Sequence, residues 1–457
     1  MSSNLFHEPY RPQFHFTARV NWLNDPNGLV YYKGEYHLFY QYNPNIAPSG
    51  SDGDYKIWGH AISPDLVHWE IQPHAILPDQ LGSIWSGSAV VDGENTSGFQ
   101  IGTEKPIVAI YTAAGGTTIE SQGQLFTQCI AYSLDRGRTW TKYPGNPVLG
   151  NVAGQNRDPK VVWNAPRHEW VMALYLHDHV YGFFASSNLK EWTYLHDLEM
   201  PGSSECPDFF PMRVQNDPTA SGTGQEYWVF TGANGRYLVG TFDGTRFTPE
   251  EGPLQVDYGA NYYAVQTFSD APGARRIQIA WMAGGRYPGM PFNQQMSFPC
   301  EMALRQTDQG LRLVRQPVPE ITTLYSRKHT WQNLTMQPGE NPLAGIESEL
   351  VDLQAEIEVG ELDVFNFILH GQTMSYSVAE KLITVIDRSC EAKPENRRIK
   401  IRLLLDRTSL EVFVNDGQVS LTSCYVPDPS DRSLTFHASS NVKVLAMTLF
   451  ELRSAWI

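Results

Sequence analysis

Short apolar or alternating runs, each followed by turn residues, recur along the whole chain and predict β-strands. Clear examples are 58–62, 129–132 and 182–185. The 37 Gly and 30 Pro residues spread between such runs favour turns. No run of about twelve residues keeps a helical period free of Gly and Pro. The pattern therefore predicts an all-β protein.

A weak internal repeat follows several of these runs. Ser63–Trp69 (SPDLVHW) recurs as Ser186–Trp192 (SSNLKEW), with looser copies at Ser133–Trp140 (SLDRGRTW) and Gly240–Phe247 (GTFDGTRF). A turn that links two strands of one sheet, with the Trp anchoring the next strand, explains each copy. The spacing of roughly fifty to seventy residues suits four-stranded propeller blades. Stacked hairpins are the alternative, and we favour a propeller because ring closure removes exposed edges.

The chain changes character near residue 318. Gln316–Pro319 (QPVP) indicates the start of a linker, and aromatic residues become rarer after it. Apolar runs at 399–405, 410–414 and 419–421, with a hairpin turn at 415–417, predict antiparallel strands. We therefore expect a propeller over residues 1–318, a linker over 319–335 and a β-sandwich over 336–457. A length of 457 residues suits two hydrophobic cores.

Composition and net charge limit the kinds of molecule that this protein is expected to bind. The formal net charge is −15 and no Lys/Arg run could track a phosphate backbone, which argues against nucleic acid and anionic membranes and favours a neutral substrate. The five widely spaced Cys match neither a zinc site nor a disulfide framework. No leader or span of eighteen apolar residues is present. We expect a cytoplasmic protein, or a secreted one whose leader this chain lacks.

Three acidic residues stand close before a proline: Asp25 and Asp158 directly before it, and Glu205 one residue earlier. Proline favours extended backbone in the preceding residue, which can hold Asp25 and Asp158 at strand ends. In a propeller such ends converge on the axis. Clustered carboxylates repel, so at least one pKa is expected to rise. Taken singly, the Asp25 motif is typical of a common turn, Arg157 and Asp158 are compatible with an ion pair, and Glu205 with a solvated loop.

Six motifs occur in an order that resembles glycoside hydrolase family 32, which includes invertases, levanases and inulinases. They are Trp22–Gly28 (WLNDPNG), Phe39–Pro44 (FYQYNP), Trp58–Ala61 (WGHA), Trp85–Ser88 (WSGS), Arg157–Pro159 (RDP) and Glu205–Pro207 (ECP). Asp406–Phe413 (DRTSLEVF) is similar to a segment of that family's C-terminal sandwich. The resemblance implies a five-bladed β-propeller followed by a β-sandwich, with a funnel-shaped site on the propeller axis.

The resemblance also implies roles. Asp25 would be the nucleophile, Glu205 the general acid/base and Asp158 the transition-state stabiliser, with no metal and no cofactor. A retaining double displacement would place the carboxyl groups of Asp25 and Glu205 about 5 to 5.5 Å apart. The positions that match the fructose subsite are Asn24, Gln41, Ser86 and Arg157. Trp58 and Trp85 are expected either to wall the pocket or to belong to the core.

Several positions depart from the family's pattern. Ser49-Gly50, in the 45–57 loop, stands where members often have Trp-Gly. Asn156, Asn261, Phe292 and Cys300 replace the usual Phe, Asp, Trp and Arg. These changes leave the acidic residues intact and bear on the shape of the sugar subsites, hence on substrate preference.

The sequence thus favours an exo-acting hydrolase that removes terminal β-fructofuranosyl units from fructans (inulin, levan) and from sucrose. A fructosyltransferase of the same family is one alternative. It differs only in that a sugar, rather than water, reacts with the fructosyl-enzyme intermediate. A catalytically silent carbohydrate-binding propeller is the alternative from another class, and it gains little from packing three like charges. The expected partner is the fructoside substrate, and a homodimer through the sandwich is the protein assembly we consider.

Overall fold

The computed structural model describes residues 5–46, 53–215, 225–361, 363–428 and 430–456. Regular structure in these ranges is almost entirely β-strand, which confirms the all-β prediction. The described helical segments are short 3-10 turns at Ala165–Arg167, Pro272–Ala274 and Pro319–Leu324. No described helix is long and apolar enough to cross a membrane.

The strands up to residue 317 form five successive antiparallel units. The first unit contains β1 (Asn21–Tyr32), β2 (Glu35–Asn43), β3 (Ile57–Ser63) and β4 (Glu70–Ile76). The second contains β5 (Ser83–Val91), β6 (Ile107–Ala114), β7 (Thr127–Ser133) and β8 (Thr141–Lys142). The third contains β9 (Arg157–Asn164), β10 (Glu169–His177), β11 (Val180–Ser186) and β12 (Thr193–Glu199).

The fourth unit contains β13 (Asp208–Gln215), β14 (Glu226–Thr231), β15 (Arg236–Phe242) and β16 (Phe247–Gln255). The fifth begins with β17 (Tyr263–Thr267) and β18 (Arg276–Trp281). A short strand, β19 (Phe292–Asn293), then leaves this unit to pair with β1, and the chain returns to complete it with β20 (Cys300–Thr307) and β21 (Gly310–Pro317).

These five units close into a ring. The first strand of each unit contacts the first strand of the next, from β1 through β5, β9, β13 and β17 back to β1. Closure is reinforced by the parallel pairing of β19 with β1 and by Ser269 N–H, which donates to Leu29 O at 2.8 Å. The units are therefore the blades of a five-bladed propeller, whose first strands surround the axis.

The sequence repeats coincide with the turn between the third and fourth strands of blades one to four, as predicted. In the first copy, Asp65 Oδ1 accepts the N–H groups of Val67 and His68 at 3.0 and 2.8 Å. The Trp69 indole donates to Leu66 O at 3.0 Å. Because these bonds join near neighbours along the chain, the repeated motif specifies the turn locally.

Two sheets packed face to face follow the propeller. One has the order β22-β32-β23-β28-β29-β30 and the other β27-β26-β25-β24-β31. Their bounds are β22 (Tyr325–Met336), β23 (Val351–Glu358), β24 (Val364–Leu369), β25 (Gln372–Ser377), β26 (Leu382–Val385), β27 (Arg388–Glu391), β28 (Arg398–Asp406), β29 (Ser409–Val414), β30 (Val419–Cys424), β31 (Leu434–Ala438) and β32 (Val442–Leu452). One continuous apolar cluster fills the space between them, as in a β-sandwich.

The segment 319–335, interpreted from sequence as a linker, contains the last 3-10 turn and most of β22. Strand β22 pairs with β32 along its length. Its side chains are mostly exposed because it is the edge strand of its sheet, so it lacks the apolar alternation of an inner strand.

A buried ionic group joins the N-terminal segment to the sandwich. His15 Nδ1 lies 2.8 Å from Asp406 Oδ2, and His15 Nε2 lies 2.8 Å from Glu411 Oε1. All three side chains are fully buried. Burial alone would lower the pKa of His15, but the hydrogen bonds and charges of Asp406 and Glu411 raise it to about 9. The imidazole is therefore charged at neutral pH.

Candidate active site

Asp25 lies on the first strand of the first blade, where the pairing of β1 with β2 shifts between Leu23 and Pro26. Polar side chains from the first two blades donate to its carboxylate. Ser86 Oγ lies 2.5 Å from Oδ2, Gln41 Nε2 lies 3.4 Å from Oδ2 and Asn24 Nδ2 lies 3.1 Å from Oδ1. Gln41 also donates to Ser86. The predicted binding positions 24, 41 and 86 thus hold the Asp25 side chain in place.

Asp158 is the second residue of β9 and is buried. Its φ is +64°, so the expectation of extended backbone before Pro159 is wrong. Tertiary contacts hold this strained conformation: Asp158 N–H donates to Thr112 Oγ1 at 2.9 Å, and Cys206 N–H donates to Asp158 Oδ2 at 3.1 Å. Such contacts override the local preference, as is common at functional sites.

Glu205 precedes the fourth blade and is held from two sides. Arg157 Nη2 lies 2.6 Å from Glu205 Oε1, and the Tyr263 hydroxyl donates to Oε2. The Arg157 guanidinium also lies 4.6 Å from the centre of the Tyr175 ring. Arg157, which the resemblance assigned to the fructose subsite, therefore lies beside Glu205.

Cys206 links the carboxylates of three blades. Its Sγ lies 3.6 Å from both Asp25 Oδ2 and Asp158 Oδ2, and its neighbour in the chain is Glu205. Burial and the three negative charges raise the pKa of this thiol well above its ordinary value. The thiol stays protonated and can donate to the carboxylates, which removes it as a nucleophile.

The repulsion predicted among the three carboxyl groups affects the pKa of Asp158. Burial, and then the charges of Glu205 and Asp25, raise the pKa of Asp158 to about 7, although Arg157 opposes the shift. This confirms the expectation that at least one carboxyl pKa rises. The pKa rises on the buried carboxyl of Asp158, because desolvation is the largest cause of the shift.

The two tryptophan candidates differ. Trp85 is half-buried and donates through its indole N–H to Asp54 O at 3.0 Å. Trp58 is 0% exposed, packs against Phe39 and Tyr111, and donates to Trp85 O at 3.0 Å. Of the two expectations for Trp58, the core placement fits, since the ring packs in the apolar cluster between the first two blades.

Sequence reasoning missed Tyr263 and Trp281. Tyr263 begins the fifth blade, and Trp281 packs edge-on against both Tyr263 and Trp22 with ring centres 6.2 Å apart. The Trp22 indole donates to Asn24 Oδ1 at 3.1 Å, so this aromatic group supports the Asp25 side of the site. Tyr263 is 58 residues from Glu205. Tyr263 and Glu205 come together only because the propeller ring closes.

The departures from the family pattern lie mostly away from the carboxylates. Asn261 bridges Ala283 O and the Cys424 N–H of the sandwich. Phe292 lies under the Arg11 guanidinium, and Cys300 lies beside Arg315. That these positions bear on the shape of the sugar subsites stays a prediction. Ser49 and Gly50 lie outside the described residues.

The described residues include no group of three His, Cys, Asp or Glu side chains placed to hold a metal ion. What the site offers is a fixed carboxylate at Asp25, a second acid at Glu205 with two donors, and a buried third acid between them. This combination can support nucleophilic attack together with proton transfer.

Two family models match nearly the whole chain. The N-terminal domain of glycosyl hydrolases family 32 matches residues 15–317, and the C-terminal domain of the same family matches residues 320–451. A levanase of Bacillus subtilis is 40% identical over 99% of this chain and 72% of that protein. An extracellular exo-inulinase of Aspergillus niger is 32% identical over 92% of this chain and 90% of that protein. The crystal structure of exo-inulinase from Aspergillus awamori superposes with a TM-score of 0.86 at 29% identity, covering 99% of this chain and 100% of that one.

Proposed function

Because this chain belongs to glycoside hydrolase family 32 and is a glycoside hydrolase of the β-fructofuranosidase type, we propose that it removes terminal β-fructofuranosyl units with retention. The observation that carries the proposal is the meeting of Asp25, Asp158 and Glu205 around Cys206 and Arg157. A retaining mechanism needs two carboxyl groups on either side of one glycosidic bond.

In the first step, Asp25 attacks C2 of the fructosyl unit while the bond from C2 to the leaving oxygen breaks. Glu205 transfers its proton to that oxygen, and a fructosyl ester of Asp25 forms. Ser86, Gln41 and Asn24 support this role because their donors stabilise the anionic form of Asp25 and fix its direction.

In the second step, Glu205 takes a proton from water, the water oxygen attacks C2, and fructose leaves as Asp25 is restored. Arg157 and Tyr263 hold the two oxygens of Glu205, which supports its use in both steps. Asp158 is proposed to bind fructose hydroxyls, since it is buried and its pKa is raised to about 7. A carboxyl in that state can donate or accept a hydrogen bond.

Fructans and sucrose are the proposed substrates, and exo-action the proposed mode. The levanase and the exo-inulinase among the relatives support a fructan substrate. A time course of products from inulin, levan and sucrose tests this directly. Fructose alone from the earliest point is expected, whereas early oligomers would indicate endo-cleavage or transfer.

The mechanism is tested by hydrolysis in methanol–water mixtures. Retention predicts methyl β-fructofuranoside as the trapped product, and the α-anomer would exclude a covalent intermediate on Asp25. Asp25→Ala should lose at least about 10⁴-fold in kcat, as expected when a catalytic group that acts with others is removed. The exposed Asp308→Asn variant is the matched control and should retain activity. Equal, negligible sugar release by wild type and Asp25→Ala would instead favour a carbohydrate-binding propeller.

A further inference from the structure

A second cavity lies on the propeller axis at the end opposite to the carboxylates. Asp25, Ser86 and Asp158 occupy the beginnings of their strands, and the later parts of the first strands run away from them along the axis. The later parts of β5 and β9, together with residues of β13 and of the turn after β17, line a cavity of about 400 Å³. Its lining includes Val91, Lys160, Trp163, Trp170, Asp270 and Arg276.

A buried ion pair lies at the wall of this cavity. Lys160 Nζ lies 3.0 Å from Asp208 Oδ1 and donates to Thr267 O at 2.8 Å. Asp208 Oδ2 in turn accepts the Thr267 N–H at 2.5 Å. Together with Thr267 the pair connects the third, fourth and fifth blades, and its two charges compensate each other.

Arg276 has a hydrogen-bonding group with no protein partner. Its Nε is buried and bonds to none of the described residues, and its Nη2 makes only a long contact of 3.4 Å with Pro211 O. A buried donor without an acceptor is unfavourable, and native proteins rarely leave one. An acceptor from a bound molecule would satisfy it.

The remaining lining suits a neutral sugar. Trp163 is half-buried and lies 4.7 Å from Trp170 between ring centres, which provides an aromatic surface for the C–H groups of a sugar ring. Asp270 accepts a hydrogen bond from Val91 N–H at 3.2 Å and offers its carboxylate to hydroxyl donors. Asp270 and Glu94 balance Arg276, so the cavity has no excess of positive charge that would select an anion.

We propose that this cavity is a non-catalytic binding site for a neutral saccharide unit. Resting on the proposed function, the saccharide is a fructosyl unit of the same fructan that the opposite end cleaves. A polymer held at both ends of the axis, or by two enzyme molecules, would remain near the carboxylates after each cut, which raises its effective concentration.

The test is a calorimetric titration of the Asp25→Asn protein with 1-kestose. Two binding events are expected. Adding Arg276→Gln or Trp163→Ala should abolish one of them and leave the other, whereas Trp331→Ala, which changes a half-buried Trp on the sandwich, should leave both. With Asp25 intact, Trp163→Ala should keep kcat/KM for sucrose within about twofold and raise KM for levan several-fold, as expected when only a remote contact is lost.

A single event that Arg276→Gln leaves unchanged would overturn the proposal. Competition of inorganic phosphate for the second event would also overturn it, because the cavity would then be an anion site. If the Asp25→Asn protein instead binds 1-kestose in a single event, and Trp163→Ala abolishes that event, no sugar binds beside the carboxylates. That result would refute the proposed function and leave the inference about this cavity intact. Melting curves of each variant separate lost binding from lost folding, and Arg276→Gln serves if Trp163→Ala does not fold.

Discussion

Arg157 donates to Glu205 across 2.6 Å, which ties the first strand of the third propeller blade to the segment that precedes the fourth. The same guanidinium lies 3.8 Å from Asp158, so one cation faces two of the three carboxyl groups. The ion pair is partly buried, where a charge-assisted hydrogen bond is stronger than at a solvated surface.

Replacing Arg157 should reduce activity more than stability. Arg157→Gln removes a hydrogen bond to a charged group worth about 1.5 to 3 kcal/mol, so kcat/KM for sucrose should fall about 10- to 150-fold. Arg157→Lys keeps the charge without the planar fork and should lie between wild type and Gln. Equal activity of all three proteins in steady-state assays would show that Arg157 has no role in the reaction.

Tyr263 and its neighbour Tyr262 form a natural pair of variants. Tyr263→Phe removes the donor to Glu205 Oε2 and should lower kcat about tenfold, with little change in melting temperature. Tyr262 donates to Gln278 Oε1 at 2.5 Å inside the blade. Tyr262→Phe should therefore lower the free energy of unfolding by about 1 kcal/mol and keep kcat. The reverse pattern would contradict the assignment of Tyr263 to the site.

The Asp158→Asn variant should be more stable than the wild-type protein but less active. The pKa of Asp158 is raised from its ordinary 3.8 to about 7, so the folded state resists ionisation and wild-type stability falls as pH rises between these values. Asn removes that cost. The advantage in free energy of unfolding should grow from near zero at pH 4 to roughly 2–4 kcal/mol above pH 7.

The same variant should lose about 10²- to 10³-fold in kcat, the range typical of a group that stabilises the transition state. Chemical denaturation at pH 4, 5.5 and 7.5 measures the stability effect, with Asp308→Asn as control. A pH-independent difference would show that Asp158 does not titrate in this range.

His15 makes the contact between the N-terminal segment and the sandwich dependent on pH. Its pKa is raised from 6.5 to about 9, so its stabilising contribution is complete below pH 6.5 and is lost as pH rises through 9. His15→Gln removes the cation that Asp406 and Glu411 share and leaves Glu411 with Arg315 at 3.7 Å. This loss should cost roughly 3–5 kcal/mol at pH 6.

The melting temperatures of wild type and His15→Gln should converge as the pH rises above 9. The exposed His168→Gln variant should match wild type throughout. A gap between wild type and His15→Gln that stays constant from pH 6 to pH 10 would mean that the His15 charge contributes nothing.

Features that depend on near neighbours along the chain could be read from the amino-acid sequence. The turn at Ser63–Trp69 is made by hydrogen bonds spanning two or three residues, so the motif could be recognised before any sheet was known. Asp25, Asp158 and Glu205 could be named as candidates from the sequence because each lies in a short motif that resembles, in order, a motif of glycoside hydrolase family 32.

Features that depend on residues remote along the chain arise only in the folded ring. Ring closure brings Tyr263 to Glu205, buries Trp58 between two blades, and lets contacts from Thr112 and Cys206 hold Asp158 at a positive φ. Likewise, β22 has no apolar alternation of its own, and it becomes an edge strand because it pairs with β32. Burial and desolvation are properties of the whole packed ring, which no local pattern of residues contains.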